Sequence, residues 1–350
     1  MKKIIILGTL ILLVSSLLIS GAAAQQETGF SKLIFSFWAG LKPLITGQAV
    51  DDLSLIEDEQ EVKRLQNEPT DITDPVEITE TEEPLLSIQA VQNISACGSS
   101  FAANTEYALN QSVNSSGTCF SINANNVTLD CAGLTINYSQ SSIGNAVNTT
   151  GYNQTTVKNC NIFQGSLTQN SSAIYLESGH NGLILNNTVN TLDTFGTAGI
   201  DLEQTNNYTL TSNRIASGNA ALAIVGSNQT IITFSNITST GSTALFFVNS
   251  NSNRLIYSNI TANSDDVRGV YIFESSNNLL ENNTIISNGE LNDGILVEGP
   301  ANFNNFTLNN ITTSGYLGYS INMLDEVYNG TIISNVLTTT GSDGRAISLG

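Results

Sequence analysis

The chain has 350 residues, enough for one large domain or two small ones. Charged residues make up 12% of it, about half the usual share in globular proteins, and Asn, Ser and Thr take their place. The net charge of −19, with only 11 Lys and Arg that never gather beyond adjacent pairs, argues against a nucleic-acid partner. One His and two Met leave few soft metal ligands, so we expect no metal site and no cofactor.

The N-terminus has the three-part layout of a secretory signal. Lys2 and Lys3 precede an apolar run over residues 4–19, and Ala22, Ala23 and Ala24 offer a small-residue cleavage site. We therefore predict a signal peptide over residues 1–24 and a secreted or cell-surface protein. An uncleaved anchor is the alternative, because the run is only slightly short of a membrane span of roughly 20 residues. In that case this segment is the part that contacts the membrane.

Residues 25–88 are predicted to be a tether. Residues 30–45 include Phe35, Phe37 and Trp38, a composition that fits either a membrane surface or a short packed helix. Residues 51–83 hold 13 of the 30 acidic residues, and three prolines fall between positions 69 and 84. Like charges and prolines keep such a segment extended, so we expect a linker here.

A repeat begins at Val157. Three positions recur together every 22–27 residues. They are an apolar residue, a polar or small residue three positions later, and Ile or Val two positions after that. The copies are Val157/Cys160/Ile162, Ile184/Asn187/Val189, Leu210/Asn213/Ile215, Ile232/Ser235/Ile237, Leu255/Ser258/Ile260, Leu280/Asn283/Ile285, Phe306/Asn309/Ile311 and Thr331/Ser334/Val336. A second apolar column keeps step with the first: Ile174/Leu176, Ile200/Leu202, Leu222/Ile224, Leu245/Phe247, Val270/Ile272, Ile295/Val297, Ile321/Met323 and Ile347/Leu349.

A period in the twenties indicates a solenoid. The apolar runs alternate at period two and lack the Leu-rich framework of a horseshoe, so each repeat is predicted to be one coil of short parallel strands. At about 4.8 Å per coil, roughly nine coils would form a rod about 40 Å tall. Polar residues at one inward position should form a ladder that satisfies buried backbone groups. The predicted rungs are Asn187, Asn213, Ser235, Ser258, Asn283, Asn309 and Ser334.

The Leu-x-x-Asn-x-Ile coils and the stretch over residues 126–133, NVTLDCAG, resemble the pectin-lyase-like superfamily of right-handed parallel β-helices, in particular its NosD-like short-repeat members. Cys131 stands where that first-coil motif usually has Gly. The resemblance covers residues 89–350. It implies an all-β, right-handed parallel β-helix over residues 126–350, and it is unspecific about activity.

The segment before the regular coils, residues 89–125, is predicted to be an N-terminal cap, because an open solenoid edge invites aggregation. Four cysteines in an exported protein suggest disulfides. Of the three possible connectivities we favour Cys97 with Cys119 inside the cap, and Cys131 with Cys160, which lie one coil apart and so are close enough to bridge. Gly350 falls within a strand and no cap follows it, so we expect the natural helix to continue beyond it.

Outward residues of the second column are the candidates for chemistry. Glu177 and Glu203 should lie one coil apart, and Asp201 lies two residues from Glu203. Paired carboxyls at such distances serve glycoside hydrolysis, so these three are the candidate catalytic residues of a polysaccharide lyase or hydrolase. Surface strands also carry acids for solubility, and this remains the alternative reading of the three residues.

The middle of the same face is aromatic. Tyr175, Phe246, Tyr271 and Phe273 are predicted to point outwards and to form a platform for sugar rings or a protein partner. The alternative is that another segment simply covers them. The 17 Asn-x-Ser/Thr sequons suit a surface glycoprotein, although an Asn-rich composition also produces them. The sequence therefore favours a cell-surface binding or adhesion protein without catalysis, with a polysaccharide-active enzyme as the alternative.

Overall fold

The computed structural model describes residues 91–98, 100–166, 170–192, 196 and 198–350. The predicted signal peptide, the aromatic segment and the acidic linker lie outside these residues. Within the described part, no helix has the length and apolar character needed to cross a membrane.

The described chain consists of short strands separated by tight bends. In chain order they are β1 (Gln92–Ile94), β2 (Thr105–Leu109), β3 (Val113–Asn114), β4 (Phe120–Ile122), β5 (Val127–Asp130), β6 (Thr135–Tyr138), β7 (Val147–Thr150), β8 (Thr156–Lys158), β9 (Asn161–Gln164), β10 (Ile174–Glu177), β11 (Leu183–Leu185), β12 (Thr188–Thr191), β13 (Ala198–Glu203), β14 (Thr209–Thr211), β15 (Arg214–Ser217), β16 (Ala220–Val225), β17 (Ile231–Thr233), β18 (Asn236–Ser239), β19 (Leu245–Val248), β20 (Arg254–Ile256), β21 (Asn259–Asn263), β22 (Arg268–Phe273), β23 (Leu279–Glu281), β24 (Thr284–Asn288), β25 (Asp293–Glu298), β26 (Asn305–Thr307), β27 (Asn310–Ser314), β28 (Tyr319–Leu324), β29 (Thr331–Ile333), β30 (Val336–Thr339) and β31 (Arg345–Leu349).

Every third strand along the coils pairs in parallel, which produces three sheets. Sheet 1 has the order β1-β2-β5-β8-β11-β14-β17-β20-β23-β26-β29, sheet 2 runs from β4 through β7, β10, β13, β16, β19, β22, β25 and β28 to β31, and sheet 3 runs from β3 through β6, β9, β12, β15, β18, β21, β24 and β27 to β30. The molecule is thus an all-β, right-handed parallel β-helix of about nine coils, and the predicted fold class is confirmed.

Like side chains stack in the core because the coils are in register. Ile295, for example, pairs with Val270 on one side and Ile321 on the other, and all three are fully buried. Each inward Ile, Val or Leu thereby loses its contact with water on every side, at about 25 cal/mol per Å² of apolar surface buried. The segment over residues 89–125, which we expected to form a cap, contributes β1 to β4, and these strands extend the same three sheets.

The predicted polar ladder forms at the bend between sheets 1 and 3, with one correction. Its rungs run from Asn187 to Asn309 as expected, but the rung after Asn309 is Asn335. The Oδ1 atom of Asn335 accepts a hydrogen bond from the backbone N–H of Asn309 at 2.8 Å. Ser334 instead has a left-handed backbone with φ of 56°, and Val336 is exposed. The prediction for the last coil was therefore wrong by one residue. The structure pairs Phe306 with Ile332, whereas the predicted repeat aligned Phe306 with Thr331. Both Ile332 and Ile333 are apolar, so the sequence pattern fits two registers that differ by one residue.

Both predicted disulfides are present. Cys97 bonds to Cys119, and Cys131 bonds to Cys160. The backbone N–H of Cys160 also donates to Asn187 Oδ1 at 3.0 Å, so the second bridge sits at the start of the ladder. The bridge joins the first regular coils at the place where the amide rungs begin. All four cysteines are paired, which is consistent with an extracellular location.

Candidate functional site

The outer face of sheet 2 holds every candidate site residue that we predicted from the sequence. In β22, Val270 and Ile272 are buried while Tyr271 and Phe273 are half-buried, and this alternation places the aromatic side chains on the outside. The same alternation occurs in β10 and β13. Because adjacent strands are in register, the outward residues form two continuous files along the rod.

One end of this face is acidic. Tyr175 pairs with Asp201, and Glu177 pairs with Glu203, on the adjacent strands β10 and β13. The Tyr175 hydroxyl donates a hydrogen bond to Glu203 Oε2 at 3.1 Å. Burial, together with the charges of Glu203, Glu177 and Asp201, raises the pKa of the Tyr175 phenol above its usual range. Tyr175 is therefore a neutral hydrogen-bond donor held among carboxylates.

A small-residue trough separates the acidic end from the aromatic residues. Ala198, Ala220 and Ala223 are buried and pack together, with Val225 and Phe246 against them. Tyr175 and Phe246 lie on either side of this trough, three strand spacings apart. This separation corresponds to about 14 Å. In the outward file between these two large side chains lie Asp201, next to Tyr175, and Ala223, next to Phe246.

Three aromatic residues form a continuous group beyond the trough. The ring centroids of Phe246 and Tyr271 lie 5.9 Å apart in an edge-to-face arrangement, and those of Tyr271 and Phe273 lie 6.0 Å apart. The Tyr271 hydroxyl donates to Glu298 Oε2 at 2.7 Å. This bond fixes the central ring, so the group presents one shape. Burial and the bond to Glu298 raise the pKa of Tyr271.

A polar cluster that we did not predict lies beside the aromatic group. Asp293 is 4% exposed, its Oδ2 lies 4.0 Å from Arg268 Nε, and the same oxygen accepts from Asn322 Nδ2 at 3.2 Å. Burial raises the pKa of Asp293 to about 6, against the lowering effects of Asn322 and Arg268. Arg268 also bonds to Asp266 at 3.1 Å. Asn322 Oδ1 and Arg268 Nε are buried, and within the described part of the chain neither has a hydrogen-bond partner.

A sequence signal for this cluster was available. Arg268-Gly269-Val270 and Asp293-Gly294-Ile295 place a charged residue at the same position of consecutive coils, two residues before the core column. A Cβ at Gly294 would stand 2.6 Å from the backbone oxygen of Ser320. Only glycine lets these coils stack so closely, and the charged residue before it is brought onto the outer face.

The described residues contain no group of three or more His, Cys, Asp and Glu side chains arranged to hold a metal ion. Glu177, Asp201 and Glu203 are neighbours in the sheet, but they do not form a cage. The acidic end is a surface of three carboxylates beside the Tyr175 hydroxyl. This surface can accept hydrogen bonds from hydroxyl groups.

The fold defines the class of the protein as a right-handed β-helix, and the comparisons agree. A family model described as "Right handed beta helix region" matches residues 188–337. No curated protein matches the chain significantly.

Several solved structures are similar in fold. The periplasmic alginate epimerase AlgG is 12% identical with a TM-score of 0.46, over 67% of this chain and 77% of that one. The A-module of mannuronan C-5 epimerase AlgE6 from Azotobacter vinelandii is 13% identical with a TM-score of 0.42, over 74% and 89%. ORF18 of Geobacillus virus E2 is 11% identical with a TM-score of 0.47, and this chain spans 56% of it while 71% of this chain is covered. Identities and TM-scores at this level assign no activity to this chain.

Proposed function

We propose that the protein is an exported, cell-surface β-helix that binds polysaccharide on the outer face of sheet 2 without altering it. One observation supports this most strongly: the half-buried, contiguous group of Phe246, Tyr271 and Phe273 on neighbouring strands. Aromatic faces fixed by their neighbours contact the C–H faces of sugar rings at a small cost in side-chain entropy.

Polar groups stand at both ends of the aromatic group, as sugar recognition requires. Glu298 lies at one side, hydrogen-bonded to Tyr271, and Glu203 lies beyond the alanine trough, hydrogen-bonded to Tyr175. Carboxylates accept hydrogen bonds from sugar hydroxyls. An elongated ligand that crosses the strands would meet carboxylates, then methyl groups, then aromatic rings.

The charge balance favours a neutral glycan over a polyanion. Residues 91–350 contain five Lys and Arg against sixteen Asp and Glu. Two of these cations are engaged with acids, Lys158 with Glu106 and Arg268 with Asp266. A uronate chain on the outer face of sheet 2 would lie beside Glu177, Asp201 and Glu203 and would be repelled.

The test is retention of the purified protein on a panel of insoluble polysaccharides, with soluble glycans as competitors. Replacing Phe246 and Phe273 by Ser should weaken retention roughly thirtyfold, because each ring contributes of the order of 1 kcal/mol. Phe163→Ser is the matched control, since Phe163 is an exposed aromatic residue on sheet 3. Equal loss in the control, or full retention by the double variant, would contradict the proposal.

A polysaccharide-active enzyme is the second candidate, and the buried Asp293 is the observation that favours it. A carboxyl whose pKa is raised to about 6 is suited to act as a general acid at neutral pH. Release of reducing ends from any polysaccharide, abolished by Asp293→Asn, would establish this function. Glu203→Gln tests the acidic end in the same assay, because Glu177, Asp201 and Glu203 are the alternative acids.

A further inference from the structure

A second surface, at the corner where sheet 1 turns into sheet 3, combines a polar groove with an aromatic stack. One residue per coil occupies this corner, and each has a left-handed backbone with φ between 49° and 58°. The corner file, as we call it, consists of Asn159, Asn186, Ser212, Phe234, Tyr257, Asn282, Leu308 and Ser334. Asn and Ser are residues that such a conformation favours, because their short polar side chains bond locally.

Leu308 departs from this rule, and so do Phe234 and Tyr257, which stand on consecutive coils. Their side chains are 64% and 55% exposed, and their rings stack with centroids 5.5 Å apart and planes within 6°. Large side chains are disfavoured by the left-handed backbone and gain little by burial when they point into water. The stacking contact between the two rings offsets part of this cost, while their exposed surfaces contribute nothing to folding and are open to a ligand.

The polar groove lies two coils away along the same corner. It is lined by Ala132, Gly133, Asn159, Asn161, Asn186 and Thr188. Its amides are fixed in place: Asn186 Nδ2 donates to Asn159 Oδ1 at 2.9 Å, and Asn159 Nδ2 donates to Asp130 Oδ1 at 3.0 Å. Asn186 and Asn159 each use one side-chain N–H in these hydrogen bonds. The second side-chain N–H of each residue, and the side-chain carbonyl oxygen of Asn186, can therefore bond to a ligand.

Ser212 connects the groove to the stack. It lies between Asn186 and Phe234 in the file, and at about 4.8 Å per coil these two flanking residues are roughly 10 Å apart. The serine side chain is small, so the ring face of Phe234 that is turned away from Tyr257 looks onto an open slot. The slot has an amide on one wall and an aromatic ring on the other, which is the pairing that a sugar ring requires.

We propose that this corner track, from Asn159 to Tyr257, binds a neutral oligosaccharide lying parallel to the axis of the rod. The track is about 19 Å long at four coil spacings. No charged side chain lines the groove. Arg214 pairs with Thr188 on the neighbouring strand of sheet 3. Its guanidinium group supplies further hydrogen-bond donors at the middle of the track. The site is separate from the outer face of sheet 2.

Affinity electrophoresis tests the track with the full chain, using gels that contain soluble β-glucan, galactomannan, xyloglucan or polygalacturonate. The protein should be retarded by at least one of the three neutral glycans. In the Phe246→Ser/Phe273→Ser background, which removes the aromatic group of sheet 2, adding Phe234→Asn with Tyr257→Asn should abolish the retardation that remains, and adding Ser212→Leu should reduce it by filling the slot. Leu308→Asn is the matched control, because Leu308 is an exposed apolar residue of the same corner file.

Thermal unfolding separates a binding role from a structural one. Asn suits the left-handed backbone, so the Tm of the double Asn variant should equal or exceed that of the native protein. A lowered Tm, retardation of the Phe246→Ser/Phe273→Ser protein unchanged by the two Asn substitutions, retardation by polygalacturonate alone, or no retardation by any neutral glycan would each overturn the proposal. Phe246→Ser with Phe273→Ser should leave the retardation by the corner track in place, so failure at one surface is distinguishable from failure at the other.

Discussion

The Nδ2 group of Asn283 donates to the Oδ1 atom of Asn309, one coil further along the rod, at 2.9 Å. The same Nδ2 group donates to the backbone oxygen of Leu255 at 2.8 Å, and Asn283 Oδ1 accepts from the backbone N–H of Ser258 at 2.9 Å. One side chain thus connects three successive coils at a bend. Every bond lies out of water, where an unmade hydrogen bond is costly.

We predict that Asn283→Ala lowers the free energy of unfolding by about 3 kcal/mol, because it leaves buried backbone groups of Ser258 and Leu255 without partners. Urea titration followed by far-UV circular dichroism would measure the change. Asn310→Ala is the control, since Asn310 is exposed on sheet 3, and it should stay within about 0.5 kcal/mol. Equal effects from the two variants would show that the ladder does not stabilise the bends.

The corrected register of the last coil gives a second prediction. Asn335→Ala should destabilise the protein by about 1–2 kcal/mol, because Asn335 Nδ2 donates to the backbone oxygen of Phe306 and its Oδ1 accepts from Asn309. Ser334→Gly should be neutral or stabilising by up to about 1 kcal/mol, because glycine adopts a positive φ without strain. The opposite order of effects in thermal melts would restore Ser334 as the rung.

Asp293 makes stability depend on pH in a definite direction. Its pKa is raised from 3.8 to about 6, so the folded chain holds this proton more tightly than the unfolded chain. The stabilisation is fully present below pH 3.8 and is lost as pH rises through 6. At 1.36 kcal/mol per unit, Asp293 destabilises the folded state by about 3 kcal/mol above pH 7 relative to pH 3.8.

We therefore predict that Asp293→Asn raises the free energy of unfolding at pH 8 by about 1–3 kcal/mol and does not raise it at pH 4. The lower bound allows for weaker bonding of the amide to Asn322 and Arg268. The measurement is urea unfolding of both proteins at the two pH values. Asp343→Asn is the control, because Asp343 is exposed. A gain at pH 4 equal to the gain at pH 8 would exclude titration of Asp293 as the cause.

The disulfide between Cys131 and Cys160 closes a loop of 29 residues. Replacing both cysteines by Ala should lower stability by about 3–4 kcal/mol through the loop entropy of the unfolded chain. The pair between Cys97 and Cys119 closes 22 residues, and its removal should have a similar or slightly smaller effect. Thermal melts of the two double variants, with non-reducing peptide mapping of the remaining bridge, test this. A mapped bond between Cys97 and Cys160 would contradict the structure.

The sequence predicted where the outward side chains of sheet 2 lie, while their role in binding or catalysis stays a prediction. Tyr175, Glu177, Asp201, Glu203, Phe246, Tyr271 and Phe273 all lie where the alternation places them, on one face and in register. The Asp293 cluster was missed, because Asp293 and Arg268 precede the alternating runs and their meeting depends on the close stacking at Gly294. The bend between sheets 2 and 1 was missed as well. It holds two further polar ladders, Ser227–Ser250–Ser275 and Asn253–Asn278–Asn304.

The sequence favoured both disulfide pairings that the structure contains, and its repeat was sufficient to predict the solenoid, the period and the two apolar columns. Each of these follows from a local pattern that repeats, and repetition makes a weak local signal decisive. Which polar side chains meet depends on how the coils stack on one another in the folded molecule. Burial raises the pKa of Asp293, and the polar side chains that Asp293 meets, Arg268 and Asn322, lie 25 and 29 residues away in the chain. An exposed stack such as Phe234 and Tyr257 exists because two bends superimpose. Both depend on the register between coils, which single-coil patterns leave uncertain by one residue.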